Sequence, residues 1–414
     1  MSGPPTHNII SKESSVGFPF LQSESKALAF GAEGPDLLYF KGSVPRLHDI
    51  RLFLRNYRLT ENPYEQVANV MHWEGSYEFF CEMLDCIKNN VPPEKQGKLK
   101  AFAFGYYSHV IVDSLFHPTV YRVTGDHPWK HPIVTRVAHR IFESWEDSYF
   151  IKEKLGIRPS QLMYDETVRC HEPNSGRTLD DDILRLINYG ISEVYNRSRL
   201  KNEGLSFRQL FERNPKAIQE AYRDFITISR MPYRHNIPQF LNIIGGLRGV
   251  IPKDRLNEMQ ESIMTRTEWN DNEYKLLMTP PVLDSIFELV YVEKPRGGEV
   301  ELKGGREFFD QEKKLVPRKP MLELFGYAVK MTKKMFFVSE DFFKSDFKHS
   351  FEYFSAKANG IPFLDAREGS WNLDRGALAE DNAKVRRLSL VEIINHDNKF
   401  IDENLKRINK VVLV

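Results

Sequence analysis

The sequence predicts a mainly α-helical protein, and three observations support this prediction. Between about residue 60 and residue 290, apolar residues recur at spacings of three and four, which is the period of an amphipathic helix. Proline and glycine interrupt this pattern, and the alternation of apolar and polar residues that is typical of strands does not replace it. The composition, with 41% hydrophobic and 28% charged residues, is that of a globular protein.

Individual helices are predicted from this period and from the residues that begin or end helices. One helix is predicted to begin after Pro92-Pro93 and to end at Pro118, because proline is rarely tolerated inside a helix. A second is predicted over 132–155, and the residues between the two, 118–131, are predicted to be irregular because they are rich in proline and glycine. Further helices are predicted at about 179–195, 206–230 and 254–290.

The composition changes over residues 293–320, where glycine, proline and charged residues predominate, as in a loop or linker. We therefore predict a domain of residues 1–290 and a C-terminal extension, 291–414, of mixed helix and loop that forms a lid or contacts a membrane. Within the extension we predict helices at about 320–336, 340–357 and 390–408, with a loop around Ser370–Asp374.

Four phenylalanines of the extension lie on one helical stripe: Phe343, Phe347, Phe351 and Phe354. An amphipathic stripe ordinarily packs against the interior, and this is the favoured interpretation. The alternative is insertion into a lipid interface, because lysines flank the stripe at positions 333, 334, 344 and 348.

The charge balance, the cysteine count and the N-terminal sequence argue against several classes of protein. Lys plus Arg total 58 and Asp plus Glu total 57, so no overall field attracts a polyanion, and no nucleic-acid partner is expected. Three cysteines do not form a full disulfide framework, which fits a reducing compartment. The N-terminus lacks the pattern of a secretory signal peptide, and no stretch of about 18 apolar residues predicts a transmembrane helix.

The histidines are unevenly distributed. Five of the 12 fall between positions 109 and 139, where a uniform distribution would place about 0.9. His109 with Asp113, and His139 with Glu143, each have the spacing that puts two side chains on one helix face. Imidazole and carboxylate groups are zinc ligands, so the cluster predicts a metal site. Ordinary buried, hydrogen-bonded histidines are the alternative, and the two remaining members of the cluster, His127 and His131, are left out of the predicted ligand set.

A series of motifs in a particular order resembles the zinc-dependent phospholipase C family, which is part of a superfamily with the S1/P1-type nucleases. The resemblance covers residues 6–150 and continues more weakly to about 290. It implies an all-α fold with up to three zinc ions held between helices. The motifs are Thr6-His7, Gly31–Asp36, His72, Ser108–Asp113, His117-Pro118 and His139 with Glu143.

Eight side chains match the zinc ligands of that family. For one zinc the resemblance implies Asp36, His72, His109 and Asp113, with Asp113 bridging to a neighbouring ion, and for a second it implies His117, His139 and Glu143. In the family a third zinc is held by an N-terminal tryptophan, a histidine and the bridging aspartate. His7 matches this histidine, but no tryptophan precedes it, so two zinc ions are expected and the third is left open.

Other side chains are assigned supporting roles. Asp36 or Glu74 is predicted to assist proton transfer, and Asp147 is predicted either to orient a ligand or to form a surface ion pair. A choline head group would need aromatic faces. Aromatic residues close to the ligands in sequence serve either this purpose or core packing: Tyr39, Phe40, Trp73, Tyr106 and Tyr107.

The resemblance implies hydrolysis of the glycerol-side phosphodiester bond of phospholipids at a membrane surface, with phosphatidylcholine as the expected substrate. The alternatives are an S1/P1-type single-strand nuclease or 3′-nucleotidase, and a non-catalytic helical interaction protein stabilised by zinc. The resemblance also suggests a bacterial enzyme with a role in virulence. It would come from a subgroup without a signal peptide, made in the cytoplasm and delivered into host cells by dedicated secretion machinery. The oligomeric state is left open.

Overall fold

The structure is a computed structural model of the chain. It describes residues 4–42, 63–124, 143, 146, 147, 149–157, 161–171, 178–195, 206–229, 308, 309, 315, 316, 321–358, 363, 364, 371, 372, 377 and 378. These residues are mainly helical, which confirms the predicted fold class.

The described elements are named here in chain order. The α-helices are α1 (Pro4–Ser14), α2 (Pro19–Ser23), α3 (Ser25–Gly31), α4 (Pro63–Trp73), α5 (Ser76–Asn90), α6 (Gln96–Thr124), α7 (Tyr164–Val168), α8 (Asp181–Tyr195), α9 (Phe207–Arg213), α10 (Ala217–Ser229), α11 (Met321–Lys344) and α12 (Ser350–Lys357). Gly34–Phe40 and Pro93–Lys95 are 3-10 helices, and Ile151–Leu155 is a π-helix.

Two antiparallel pairs of two-residue strands complete the described elements. Strand β1 (Phe308–Phe309) pairs with β2 (Leu315–Val316), and β3 (Trp371–Asn372) pairs with β4 (Ala377–Leu378). The second pair lies where the sequence predicts a loop around Ser370–Asp374, and the other predicted helices of this region, 254–290 and 390–408, lie outside the described residues.

The long helix α6 contacts α1, α3, α5, α8 and α11, and it carries the largest share of the predicted ligands. Its closest approach is to α3, where Gly31 and Gly105 face each other. A Cβ on Gly105 would lie 2.1 Å from the carbonyl oxygen of Leu28, and a Cβ on Gly31 would lie 2.1 Å from that of Phe102. Only glycine allows backbones to approach this closely, and the contact fixes the segment after α3 against α6.

The predicted end of α6 at Pro118 is wrong, because the helix continues through Pro118 to Thr124. A proline inside a helix removes one backbone hydrogen bond, and tertiary packing of a long helix outweighs that loss here. Within the predicted helix 132–155, described residues between 143 and 150 are helical, and the π-helix ends before Gly156, which has a positive φ of 66°. The prediction for 206–230 also needs correction, since it forms two helices, α9 and α10.

The described part of the C-terminal extension packs on the N-terminal helices: α11 contacts α1 and α6, and α12 contacts α5. The sequence predicts a break near residue 338, but α11 is continuous to Lys344. Its end is fixed by Lys88, whose Nζ donates to the carbonyl oxygens of Phe342 and Ser345 at 2.6 and 2.8 Å. The domain boundary near 291 stays a prediction.

The single helix predicted over 340–357 is wrong, and the four phenylalanines lie on different elements: Phe343 in α11, Phe347 in the connection after it, and Phe351 and Phe354 in α12. Phe354 is buried, and Phe343 and Phe347 are half-buried against the core, which supports the packing interpretation. Phe351 is exposed. Among the helices that the structure describes, none combines the length and the apolar character needed to cross a bilayer.

Candidate metal centre

Four imidazoles surround the carboxylate of Asp113, and all five side chains are buried. Three of them come from α6 itself or from a helix beside it: His109 and His117 lie one turn before and one turn after Asp113, and His7 comes from α1. His72 comes from the last turn of α4. The Nε2 atoms lie 3.0 Å (His7), 3.6 Å (His72), 3.1 Å (His109) and 3.6 Å (His117) from an Asp113 carboxylate oxygen.

Asp36 adds a second carboxylate to this group. It lies in the first turn of the 3-10 helix that follows α3, where its backbone N–H donates to the carbonyl oxygen of Glu33 at 3.1 Å. Its Oδ1 is 3.0 Å from Nε2 of His72. The Gly34-Pro35 turn therefore directs the Asp36 side chain to the cluster.

The spacing of these atoms fits the ligands of zinc. With bonds of about 2.0–2.1 Å to a tetrahedral zinc ion, neighbouring ligand atoms lie about 3.3 Å apart. Nε2 of His7 and Nε2 of His109 lie 3.0 and 3.1 Å from carboxylate oxygens of Asp113, and Oδ1 of Asp36 lies 3.0 Å from Nε2 of His72. Among the described residues, none of the three atoms Nε2 of His7, Oδ1 of Asp36 and Nε2 of His109 has a well-directed hydrogen-bond partner. Buried polar atoms that are this close to one another and poorly aligned for hydrogen bonding suit ligands of a shared ion.

Two overlapping ligand sets can be identified among the described residues. His7, His109 and Asp113 form one, and Asp36, His72 and His109 form the other, with the ligand atoms of each set within 4.8 Å of one another. The rings of His7 and His109 are stacked with their centroids 4.2 Å apart, which keeps both Nε2 atoms on the same side. The donor set of imidazole and carboxylate is the one expected for zinc in an open site.

Backbone carbonyl groups orient two of the imidazoles. Nδ1 of His72 is 2.7 Å from the carbonyl oxygen of Ala68, and Nδ1 of His109 is 3.0 Å from that of Ala32. A carbonyl accepts only from a protonated nitrogen, so each Nδ1 carries the proton and each Nε2 is left as a lone-pair donor facing the cluster. This is the usual arrangement behind metal-binding histidines.

Burial and mutual charge set the protonation of the cluster. Burial alone would raise the pKa of Asp113, but the neighbouring His109 and His7 hold that pKa well below its ordinary value. Burial lowers the pKa of His7, and the charge of His109 lowers it further. An ionised carboxylate and a neutral imidazole are the forms that bind a metal ion.

A buried network next to the cluster was not anticipated from the sequence. The hydroxyl of Tyr164, in α7, donates to Glu33 and accepts from Nδ2 of Asn8 at 3.1 Å. Asn8 is adjacent to His7, and the backbone of Glu33 accepts from Asp36. Tyr164 thus connects the helix that carries one ligand with the turn that carries another. No local sequence signal identifies a contact between residues 131 positions apart.

Asp147 is hydrogen-bonded to α1, the helix that carries His7. Its Oδ1 accepts from the backbone N–H of Thr6 at 2.9 Å and from the Thr6 hydroxyl at 2.7 Å, and it is buried. Thr6 precedes His7. Of the two roles predicted for Asp147, the structure supports the orienting role and contradicts the surface ion pair.

The remaining predicted site residues are not among the six side chains of the cluster. Glu143 is buried. His139, together with His127 and His131, lies outside the described residues, so the second ligand set stays a prediction. Glu74 has an exposed side chain, and its carbonyl oxygen accepts from the hydroxyl of Tyr195 at 2.9 Å. Its role in proton transfer stays a prediction without a described contact to the cluster.

The candidate aromatic residues separate into two groups. Tyr106 and Tyr107 are buried in the core, and Phe40 packs on Phe225 with ring centroids 4.9 Å apart. Tyr39 is half-buried, with its ring centroid 5.5 Å from that of His72 and its hydroxyl donating to Asn69 at 2.6 Å. Trp73, next to His72, is also half-buried. The ring of Tyr39 therefore contacts one of the predicted ligands, His72.

Comparison with known proteins gives one match. Residues 6–197 match the profile of the family described as zinc dependent phospholipase C. The matched segment contains every predicted ligand, including all six side chains of the cluster. Neither the curated proteins nor the solved structures contain a match to the chain.

Proposed function

Residues 6–197 belong to the zinc-dependent phospholipase C family of zinc phosphodiesterases, and we propose that this chain releases the phosphorylated head group of phosphatidylcholine. The bond cleaved is the glycerol-side phosphodiester, and diacylglycerol is the second product. The observation that carries the proposal is the convergence of four imidazoles and two carboxylates at ligand-to-ligand spacing.

The proposed centre holds two zinc ions. Asp36, His72, His109 and Asp113 would hold one, and His117, His139 and Glu143 would hold the other. Asp113 suits a bridging role because both of its oxygens face imidazoles, Oδ1 towards His7 and Oδ2 towards His72, His109 and His117. His7 is not assigned to either of these two ions, and a third zinc ion at His7 is left open.

Bound zinc would supply Lewis-acid chemistry, increasing the acidity of water and stabilising negative charge on the phosphoryl oxygens. The protein residues supply the rest of the mechanism. Asp113 and Asp36 would offset the positive charge of bound zinc. In our proposal Asp36 would accept a proton from the attacking water, and the departing diacylglycerol oxygen would take up a proton as its bond to phosphorus breaks. The buried helices around the cluster exclude bulk water, which strengthens these electrostatic interactions.

Choline recognition would involve Tyr39 in this proposal. A quaternary ammonium group is attracted to the face of an aromatic ring. The half-buried ring of Tyr39 packs beside His72 and its hydroxyl donates to Asn69, which supports a role for this ring beside a head group bound at the cluster. Delivery into host cells and a role in virulence are proposed on the resemblance alone.

The test is turnover of phosphatidylcholine by the purified full chain, measured as phosphocholine release together with zinc content by elemental analysis. We expect activity that depends on zinc and is abolished in His109→Ala. The matched control is His171→Ala, because His171 is bonded to the hydroxyl of Tyr222 in another part of the fold. This variant should retain both zinc and activity.

Single-stranded DNA and a nucleoside 3′-phosphate are assayed beside the lipid. Turnover of these substrates without phosphocholine release would replace the proposal with a nuclease function. Turnover of neither class, with zinc bound, would favour a non-catalytic role for the metal.

A further inference from the structure

The outer side of α11 carries an exposed basic and aromatic surface. Lys330, Lys333, Lys334 and Phe337 are spaced at i, i+3, i+4 and i+7, so they lie on one helix face. All four are exposed, and Phe337 exposes 62% of its surface. The opposite face of α11 is buried on α1 and α6, with Phe336 stacked on Phe104. Phe337 is therefore not needed for the core.

The end of α1 continues this surface. The hydroxyl oxygen of Ser14 lies 3.2 Å from the carbonyl oxygen of Val329, so the two helices are in contact there. A Cβ on Gly17 would lie 3.9 Å from Nζ of Lys333, so the turn after α1 lies against that lysine. Val16 in this turn exposes 57% of its surface. With the exposed Lys12, the lysine–phenylalanine face comprises Lys12, Val16, Lys330, Lys333, Lys334 and Phe337.

The charge of this face differs from that of the whole chain. The chain has a formal net charge of +1, whereas the face combines four lysines with two apolar side chains. The nearest acids on the same helices are paired with lysines outside the face: Glu13 lies 4.0 Å from Lys154, and Glu340 lies 3.8 Å from Lys344. The exposed Asp341, one turn beyond Phe337, marks the end of the face.

We propose that the lysine–phenylalanine face docks the protein on a bilayer that contains anionic phospholipids. Exposed lysines around an aromatic side chain are typical of helices that lie on membrane surfaces, where the ring enters the head-group region and the lysines contact anionic lipids. A bilayer is favoured over a protein partner because the proposed substrate is itself a membrane lipid, and the inference rests on that proposed function.

The location of the face is compatible with catalysis at the surface. His7 and Lys12 lie five residues apart in α1, a separation of about 8 Å along the helix axis. The same helix therefore carries one residue of the cluster and one lysine of the face. Docking would increase the rate on vesicles and leave the chemistry at the metal centre unchanged.

The experiment compares vesicle binding by four forms of the full zinc-loaded chain: the wild type, two triple charge-reversal variants and Phe337→Ser. Flotation is measured with vesicles of phosphatidylcholine alone and of phosphatidylcholine mixed with phosphatidylserine. The test variant is Lys330→Glu with Lys333→Glu and Lys334→Glu. The control reverses three exposed basic residues elsewhere, Lys95→Glu with Arg213→Glu and Lys216→Glu, and so changes the net charge by the same amount.

We expect the wild-type chain to bind the mixed vesicles more strongly at low than at high salt. The test variant should bind at least about tenfold less, while the control should bind as the wild type does. Phe337→Ser should weaken binding at all salt concentrations, because it removes the apolar contact. Equal binding by the test variant and the control, or no preference for anionic vesicles, would overturn the proposal, as would a stable dimer that the test variant disrupts.

A second substrate separates this inference from the proposed function. Turnover of short-chain, monomeric phosphatidylcholine should be the same in all variants, and only turnover on vesicles should decrease in the test variant. If no form hydrolyses phospholipid but vesicle binding still decreases in the lysine variant, the docking proposal is supported and the proposed function is wrong. If monomeric phosphatidylcholine is hydrolysed but turnover on vesicles is the same in the lysine variant and the wild type, the docking proposal is wrong and the proposed function is supported.

Discussion

Gly34 lies directly against the imidazole ring of His109. A Cβ on Gly34 would be 2.6 Å from Cγ of His109, and the backbone φ of Gly34 is +54°, a conformation that other residues rarely adopt. Gly34 also begins the 3-10 helix that carries Asp36. It therefore determines how closely the turn bearing one ligand approaches another ligand.

We expect Gly34→Ala to weaken zinc binding at least tenfold, because the added methyl group displaces the ring of His109 or the turn that bears Asp36. The strained backbone should also lower the free energy of unfolding by about 1–3 kcal/mol. Zinc affinity is measured by competition with a chromophoric chelator. Gly156→Ala is the control, since Gly156 also has a positive φ of 66° but no atom within 4 Å of an added Cβ. An equal loss of affinity in both variants would contradict the explanation.

Asp113 is the carboxylate shared by the four imidazoles, so its charge should matter more than its shape. We expect Asp113→Asn to lose at least one zinc per chain and to reduce turnover by three or more orders of magnitude, because an amide binds zinc poorly and cannot bridge two ions. Elemental analysis and phosphocholine release measure the two effects. Asp224→Asn is the control for a buried aspartate, since Asp224 accepts from the backbone of Gly42 at 2.8 Å and is not a predicted ligand. Full zinc content in Asp113→Asn would refute the bridging role.

The sequence predicts the part of the site that follows helical periodicity. His109 and Asp113 are one turn apart on α6, and their convergence follows from the helix alone, whereas His117, one turn further on, was assigned through the resemblance. Asp36 and His72 could be assigned only through the order of family motifs, because nothing in their local sequence specifies that they meet. The structure brings them to 3.0 Å.

Contacts across long sequence separations could not be predicted. Tyr164 and Glu33 are 131 residues apart, and Thr6 and Asp147 are 141 apart. Such pairs depend on how the helices pack against one another. No local pattern in a single sequence indicates which helices will pack together. The end predicted for α6 was wrong for the same reason, since local propensity placed it at Pro118 and tertiary packing extends the helix.

Tyr164 should act as a positioning residue for the cluster. Tyr164→Phe removes the hydroxyl that connects Asn8 and Glu33, and we expect it to lower the free energy of unfolding by about 1–3 kcal/mol, because two buried polar groups lose their shared partner. Zinc affinity should decrease with it, and readdition of excess zinc should restore much of the turnover. Tyr222→Phe is the control, since that hydroxyl is bonded to His171 rather than to the cluster network. A variant that loses stability but retains zinc affinity would limit Tyr164 to a structural role.

The carboxyl group of Glu33 gives a prediction about pH. Burial raises the pKa of Glu33 well above its ordinary value, and the hydrogen bond from Tyr164 offsets this only in part. The folded chain therefore keeps a proton that the unfolded chain releases near its ordinary pKa, so this group lowers the free energy of unfolding as the pH rises above that value, by up to about 1.4 kcal/mol per pH unit. Glu33→Gln should remove this loss while keeping an oxygen that accepts from Tyr164.

Urea unfolding of the chelator-treated protein between about pH 5 and pH 8 measures this effect as the difference between Glu33→Gln and the wild type. We expect the variant to gain stability relative to the wild type as the pH increases. Glu212→Gln is the control because this glutamate is exposed, and its substitution should show no such gain. A difference for Glu33→Gln that stays constant with pH would show that the carboxyl group has the same charge in the folded and unfolded states, and the buried acid would then be ionised beside Asp36.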